Sequence, residues 1–379
     1  MRKITSTIRN NPILCISGLL ALISCFFVLP DLQYLSYINV RVLAILFGLM
    51  LIVAALGHIG TFDVLTSKLL SKVKTYRGIS LLMSLLAFFL SMFLTNDVSL
   101  VTLVPFAIMV LAPFGENKKL MFTLIIMTVA ANLGSMLTPI GNPQNLYLYD
   151  NYKIALPEFL LLMIPYSVLS LALIVALTFI LVKGSDKLPP LKNTEVKKLS
   201  FVKLLIYFAL FVLNILTVVG YVHFLISLGV TVAAMLIMDR TSFKKADYNL
   251  LATFVCFFIL IGNIGRIDAI TGALSGLVSS YPVPAAILSS QIISNVPAAM
   301  LLSAFTDDGK SLIIGTNLGG LGTLIASMAS LITYRFHAKF SKEQKEKTGG
   351  KQDNYILNFT IINIVMLVIL FGFYLILNR

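Results

Sequence analysis

The chain alternates between long apolar blocks and short polar intervals. Ile13 to Leu29, Val42 to Leu56, Phe159 to Val182, Leu204 to Val219 and Tyr355 to Leu377 contain no charged residue. A helix needs about 20 apolar residues to cross a hydrocarbon core about 30 Å thick, and these blocks reach that length alone or with their flanks. Further blocks at Val222–Met238 and Asn249–Ile261 extend the pattern. It predicts an all-α polytopic membrane protein with about nine full spans.

Four apolar segments are interrupted by small and polar residues. Ile79 to Pro113 breaks at Thr95-Asn96-Asp97, and Val283 to Phe305 breaks at Ser294-Asn295-Val296-Pro297. Arms of about 16 residues are short for a crossing, so the first segment predicts a re-entrant hairpin over 78–113. The second predicts another over 282–305. Leu120 to Tyr149 is interrupted at Thr138-Pro139-Ile140-Gly141-Asn142-Pro143, and Ser311 to Tyr334 at Gly319-Gly320-Leu321-Gly322. These predict broken spans over 119–149 and 311–334. Gly57 to Arg77 is too polar to cross and reads as an interfacial helix on the inner surface.

The interruptions recur in order. Gly57-His58-Ile59-Gly60-Thr61-Phe62-Asp63 matches Gly262-Asn263-Ile264-Gly265-Arg266-Ile267-Asp268 at four of seven positions. Thr95-Asn96-Asp97 answers Ser294-Asn295-Val296, and Asn132-Leu133-Gly134 answers Asn317-Leu318-Gly319. The first copy enters its hairpin from inside and the second from outside, which predicts two inverted repeats. The first occupies 1–182, a cytoplasmic linker 183–203, and a connecting span with the second repeat 204–379.

Composition narrows the class further. With 58% hydrophobic and 12% charged residues, the 379-residue chain is no water-soluble globule. Its net charge of +13 lies in short clusters between apolar blocks, as in cytoplasmic loops and not in a nucleic-acid surface. With the N-terminus inside, only Arg41, Lys153, Arg266, Lys310 and Arg379 of the 29 Lys and Arg fall outside. That bias predicts a cytoplasmic-membrane protein with its C-terminus outside. After the first block comes Pro30-Asp31-Leu32-Gln33 and no small-x-small site, so the block reads as a retained span. Cys15, Cys25 and Cys256 lie in apolar blocks without metal or redox spacing and read as core residues.

Irregular backbone in hydrocarbon leaves unpaired amides and carbonyls, each costing several kcal/mol, so it survives only inside protein or beside a wet cavity. Helix N-termini attract anions and free carbonyls attract cations. The four interruptions therefore predict a pocket for a small charged solute and its coupling ion. Asp97 stands at the most polar point of an apolar hairpin, where an ionisable group implies function. It reads as the group that binds Na⁺ or carries H⁺. Asp63 and Asp268 read as interfacial or helix-end acids, His58 and His223 as packed or interfacial, and Asp307-Asp308 as a solvated turn. No transition metal and no cofactor is expected.

At these residues the chain resembles the ion transporter superfamily, which includes divalent-anion/Na⁺ symporters, citrate transporters, arsenite efflux permeases and NhaD-type Na⁺/H⁺ antiporters. The likeness is carried by Thr95-Asn96-Asp97-Val98 with Val104-Pro105-Phe106, by Ala131-Asn132-Leu133-Gly134-Ser135, and by Thr138 through Asn145. Ser294 through Ala299 and Gly315 through Thr323 fit the second half. The resemblance implies two hairpins holding substrate between their tips, with Na⁺ sites where each tip meets a broken helix. Substrate contacts then fall on Asn96, Asp97, Asn142, Asn295, Val296, Thr316 and Asn317. Cation sites fall on Thr95, Asn96, Asp97, Gly141 and Asn142 in one half, and on Ser294, Asn295, Gly319 and Gly320 in the other. Dicarboxylate carriers of the group have Thr where this chain has Asp97 and Val296, which weighs against a dicarboxylate. Dimers are common in the group, so a homodimer is an expectation.

Three transport readings follow: a cation-coupled carrier for a small carboxylate or inorganic oxyanion, a Na⁺/H⁺ antiporter, and a metalloid efflux permease. An enzyme would need a nucleophile–base pair or metal ligands within the membrane, and the sequence carries no such set.

Overall fold

A computed structural model describes residues 12–70, 73–184, 200–267, 275–276, 278–348 and 354–378; among them there are helices and no strands. In chain order the longer helices are α1 (Pro12–Phe27), α2 (Val40–His58), α3 (Thr61–Leu70), α4 (Tyr76–Leu94), α5 (Asn96–Leu111), α6 (Asn117–Ser135), α7 (Pro143–Asn151) and α8 (Leu156–Leu181). They continue as α9 (Phe201–Val219), α10 (Phe224–Met238), α11 (Tyr248–Ile264), α12 (Pro282–Ile293), α13 (Asn295–Leu302), α14 (Gly309–Leu318), α15 (Met328–Thr348) and α16 (Tyr355–Leu377). Six stretches among the described residues are long and apolar enough to cross a membrane: α2, α4, α5 with its terminal turn, α8, α9 and α16. Such a set belongs to a multi-pass membrane protein.

Helix starts follow local chemistry. The Asn39 side chain accepts from the Val42 amide, Thr75 from Gly78, Asp247 from Leu250 and Asp308 from Ser311. Asn142 accepts from the Asn145 amide, with Pro143 in the first turn of α7. Asp308 is thus a cap, and Asp307 beside it is exposed. Asp63 sits exposed in the first turn of α3, and His223 caps α10. Asp268 and most of the 183–203 linker lie outside the described residues.

Two helix groups form. One packs α1 on α11, and α2 on α9 and α10. The other gathers α4 to α8 with α12 to α16. Their main meetings are α2 with α7 and α11 with α13. Because lipid is as apolar as a leucine core, contact between such helices relies on close packing and hydrogen bonds. The α4–α6 pair illustrates this. Ser80, Ser84, Ala87 and Ser91 line one buried face of α4 at helical spacing. Ser80 and Thr123 share a 2.8 Å hydrogen bond, and a side chain on Gly134 would strike the Phe88 carbonyl.

Two boundaries differ from the sequence expectation. The first hairpin has arms of 19 and 16 residues, so its first arm is long enough to cross by itself. The second helix break runs from Gly319 to Ser327, and α15 then continues to Thr348, past the expected end of the span at 334 and through the basic stretch from Lys339. Lys339, Lys342, Glu343, Lys345 and Glu346 are good helix formers, and 339–343 and 342–346 are opposite-charge neighbours one turn apart. That is charge on a helix surface.

Candidate solute and ion site at two tips and two breaks

Each hairpin turns on a single residue. Thr95 separates α4 from α5 with φ 69° and ψ 151°; Ser294 separates α12 from α13 with φ 73° and ψ 154°. Both occupy a region essentially reserved for glycine, at a cost of about 1–3 kcal/mol each. Strain of one kind at both tips shows that the surrounding contacts dictate the turn. The next amide supplies such a contact. Asn96 N donates to the Gly141 carbonyl (3.2 Å), and Asn295 N donates to the Ala326 carbonyl (3.0 Å). Tip one is thereby tied to the break between α6 and α7, and tip two to the break between α14 and α15.

The breaks correspond residue by residue. Asn132-Leu133-Gly134 ends α6 as Asn317-Leu318-Gly319 ends α14, and at the same spacing Thr138, Ile140, Gly141 and Asn142 face Thr323, Ile325, Ala326 and Ser327. Side chains then join the two sets. Asn132 Oδ1 accepts from Asn96 Nδ2 (2.9 Å) and from Ser327 Oγ (2.9 Å), while Asn132 Nδ2 donates to the Gly320 carbonyl (3.3 Å). Asn317 Oδ1 accepts from Asn142 Nδ2 (3.2 Å), and Asn317 Nδ2 donates to Asn145 Oδ1 (2.6 Å). Asn142 also donates to Ser135 Oγ (3.0 Å). The break residue of each half thus donates to the asparagine before the other break. Asn295 joins from tip two, its amide against Gly320, where a methyl group would sit only 3.0 Å away. The asparagines, serines and glycine of this network are all buried.

Low dielectric makes such a network strong where it is satisfied and costly where it is not. Three buried atoms near tip one and break one have no partner: Asp97 Oδ1, Ser99 Oγ and Gln144 Nε2. Asp97 lies in the first turn of α5, where the helix dipole favours a negative charge. Its counterpart Val296 is buried in the first turn of α13. Between Ile79 and Pro113, Leu120 and Asn151, Pro282 and Phe305, and Ser311 and Tyr334 there is no Lys or Arg.

Of the residues singled out from sequence, Thr95, Asn96, Asp97, Gly141, Asn142, Ser294, Asn295, Val296, Asn317, Gly319 and Gly320 all stand at these tips and breaks. Thr316 lies one residue short of the network, its hydroxyl bonded to the Leu312 carbonyl of its own helix (2.7 Å). The carbonyls of Gly319 and Gly320 already accept side-chain amides, from Gln291 (3.0 Å) and Asn132 respectively. Residues not singled out there are Asn132, Ser135, Gln144, Asn145, Gln291, Ala326 and Ser327. Asn132 was visible as a repeat residue, and the 138–142 spacing, continued into 323–327, points to Ala326 and Ser327.

The citrate transporter family profile matches residues 4–308. An uncharacterized transporter of Methanocaldococcus jannaschii is 38% identical over 295 residues, covering 76% of this chain and 79% of that protein. The inner membrane protein YbiR of Escherichia coli is 32% identical over 295 residues, 76% of this chain and 77% of its own length. A shorter match, 32% over 128 residues, links 34% of the chain to 26% of the silicon efflux transporter LSI3 of Oryza sativa subsp. japonica. Matched tips, matched breaks and a profile that covers both tips and the first break agree on one assignment: the chain is a membrane transport protein, not an enzyme, and it belongs to the citrate transporter family.

Proposed function

We propose that the chain is a secondary active carrier for a small anion, a carboxylate or an inorganic oxyanion, driven by Na⁺ or H⁺ across the cytoplasmic membrane. The observation that carries this reading is the meeting of tip one and both breaks in one buried amide–hydroxyl network, to which tip two is tied by its Asn295 backbone amide, with an Asp97 oxygen left unpartnered beside it. The α5 and α13 N-termini offer amides to an anion. Asp97 takes the coupling cation, which lets an anion approach without meeting a bare carboxylate. In this reading the halves are inverted repeats, the hairpins are re-entrant, and the N-terminus lies inside. The second hairpin's arms of 12 and 8 residues, too short to cross, favour that topology.

A second reading is export of an uncharged, hydroxylated weak acid of the metalloid type. It is favoured by the absence of Lys and Arg from the four site segments and by the similarity to a silicon efflux transporter. Amides and hydroxyls can bind such a solute without a counter-charge.

Proteoliposomes decide between them. Labelled citrate, phosphate and germanic acid are each offered with an imposed Na⁺ or pH gradient, and an internal pH dye reports Na⁺/H⁺ exchange when no solute is added. Gradient-driven citrate or phosphate uptake that Asp97→Asn abolishes supports the first reading, and germanic acid flux alone the second. Solute-independent alkalinisation on adding Na⁺ points to the antiporter. Flux indifferent to both gradients and to Asp97→Asn removes coupled transport altogether.

A further inference from the structure

The two breaks are not chemically alike, and the difference lies in how their carbonyls are used. In the second, Gln291 reaches from α12 into the unwound stretch. Its Nε2 stands 3.0 Å from the Gly319 carbonyl, 2.9 Å from Leu321 and 3.1 Å from Ile287. Its Oε1 accepts from the Thr323 amide (2.9 Å), and the Thr323 hydroxyl donates to the Gln291 carbonyl (3.2 Å). Gly322 makes room for this side chain: at φ 110° it lacks the β-carbon that would strike Gln291 Oε1.

The matching place in the first half is Met92, four residues before Asn96 as Gln291 is four before Asn295. The Thr138 hydroxyl donates to the Met92 carbonyl, as Thr323 does to Gln291, so the backbone match is preserved while the side chain differs. At break one, among the described residues, the side-chain amide on the backbone carbonyls is that of Asn145, at longer distances: 3.4 Å to Ser135 and Met136, 3.2 Å to Thr138. Beyond both breaks the asymmetry repeats at the tips, where Asp97 faces Val296. The half with the acid lacks the inserted glutamine, and the half with the glutamine lacks the acid.

Three carbonyl oxygens converging on one point form a cation-solvating cage, and in break two that point is taken by a tethered –NH₂ group, a neutral donor of partial positive charge. We infer that Gln291 is a built-in replacement for a transported cation in the second half, so that any coupling cation is confined to the first half, at tip one. This deepens the carrier reading and rests on it. The Gly319 carbonyl that family resemblance assigns to a cation is, in this chain, spent on holding the break in shape. The consequence is a stoichiometry of at most one Na⁺ per chain.

Direct binding of ²²Na⁺ to the purified full-length protein in detergent, by scintillation proximity at pH 8, tests the inference without any solute. The unmodified chain is expected to bind one Na⁺ or none, with a Hill coefficient near one, and Asp97→Asn to lose what is bound. Gln291→Ala and Gln291→Ser empty the cage while keeping its carbonyls. They are expected to gain one Na⁺ that Asp97→Asn does not remove. Two Na⁺ per unmodified chain overturn the inference, and so does a monodisperse Gln291 variant with unchanged stoichiometry. Should neither variant fold, the stoichiometry of the unmodified chain decides. Coupled flux in proteoliposomes together with two bound Na⁺ sinks only this inference, whereas absence of any coupled flux sinks the carrier reading.

Discussion

The contact between Asn142 and Asn317 joins the two halves at their breaks, and its worth can be worked out from the bonds around it. Asn317→Ala removes the donation to Asn145 (2.6 Å), a bond to the Ile313 carbonyl (2.8 Å) and the acceptance from Asn142 (3.2 Å). Asn145 Oδ1 is then a buried acceptor without that donor, a loss of about 1–3 kcal/mol on top of roughly 1 kcal/mol for each bond. Asn142 Nδ2 keeps Ser135, so its loss is smaller. The total is about 3–6 kcal/mol. Asn142→Ala removes the same bond and also the cap on α7, for about 2–4 kcal/mol.

Because one bond is counted in both single variants, the double variant should cost less than their sum by about 0.5–2 kcal/mol. Reversible unfolding in mixed dodecyl maltoside and SDS micelles, followed by helical circular dichroism, measures all four proteins. Asn358→Ala is the control, since its side-chain amide bonds the Asn354 carbonyl one turn back; it should stay within about 0.5 kcal/mol. Coupling indistinguishable from zero, or single variants no worse than the control, would refute the claim that these asparagines hold the halves together.

Thr95→Gly and Ser294→Gly should each raise stability by up to about 2 kcal/mol, since relief of about 1–3 kcal/mol exceeds the entropy cost of glycine. A fall in melting temperature in both variants would mean that the tips are not strained. Gln144→Met should stabilise the solute-free protein by about 1 kcal/mol by deleting a buried orphan donor, while lowering transport. Unchanged flux would place Gln144 outside the solute's path. Between α10 and α11, burial works to raise the Asp239 carboxyl, but bonds from Thr241 and His58 outweigh it and hold the group below the ordinary aspartate range. A lowered folded-state value means stability that is present above about pH 4 and is lost as pH falls below it. Asp239→Asn should flatten that acid limb in a stability–pH series, and an unaltered limb would discard the assignment.

The tips were legible because an Asn-containing polar triplet inside 30 apolar residues has few bland explanations, and Thr95 and Ser294 stand where the triplets begin. Break one was legible through Asn142-Pro143, a cap followed by the residue best suited to a first turn. Break two was harder. Its glycines marked the start, but Ala326 and Ser327 carry no loop signature, and only the backbone shows that the unwound stretch reaches them. Gln291 was hidden for another reason. A lone glutamine in an apolar arm reads as a half-exposed polar residue until its amide is seen to bridge two distant carbonyls. The charged end of α15 failed oppositely, since a run of Lys and Glu suits a solvated helix as well as a loop.

How the site could open follows from where bonds concentrate. Swinging one half against the other would tear Asn132 from Gly320 and Ser327, and Asn317 from Asn142 and Asn145, exposing buried amides. Tyr147 with Ser303 and Tyr152 with Thr306 would part as well. At roughly 1 kcal/mol per bond, and more for each donor left unpaired, that motion costs well over 5 kcal/mol. The boundary between the two helix groups is cheaper. Its main polar tie is Asp150 on α7, held by Asn39 (2.7 Å) and Arg41 (3.3 Å) at the start of α2. Arg41 also donates to the Thr217 and Val218 carbonyls of α9. Both hairpins and both broken helices can therefore move as one body past α1, α2, α9, α10 and α11, with the Asp150 tie to release. Arg41→Gln, which keeps a donor but not the charge, should speed exchange between the two positions of that body. Cysteine cross-linking across the α2–α7 boundary would report it, and equal cross-linking rates in both proteins would show that the Asp150 tie does not hold the groups together.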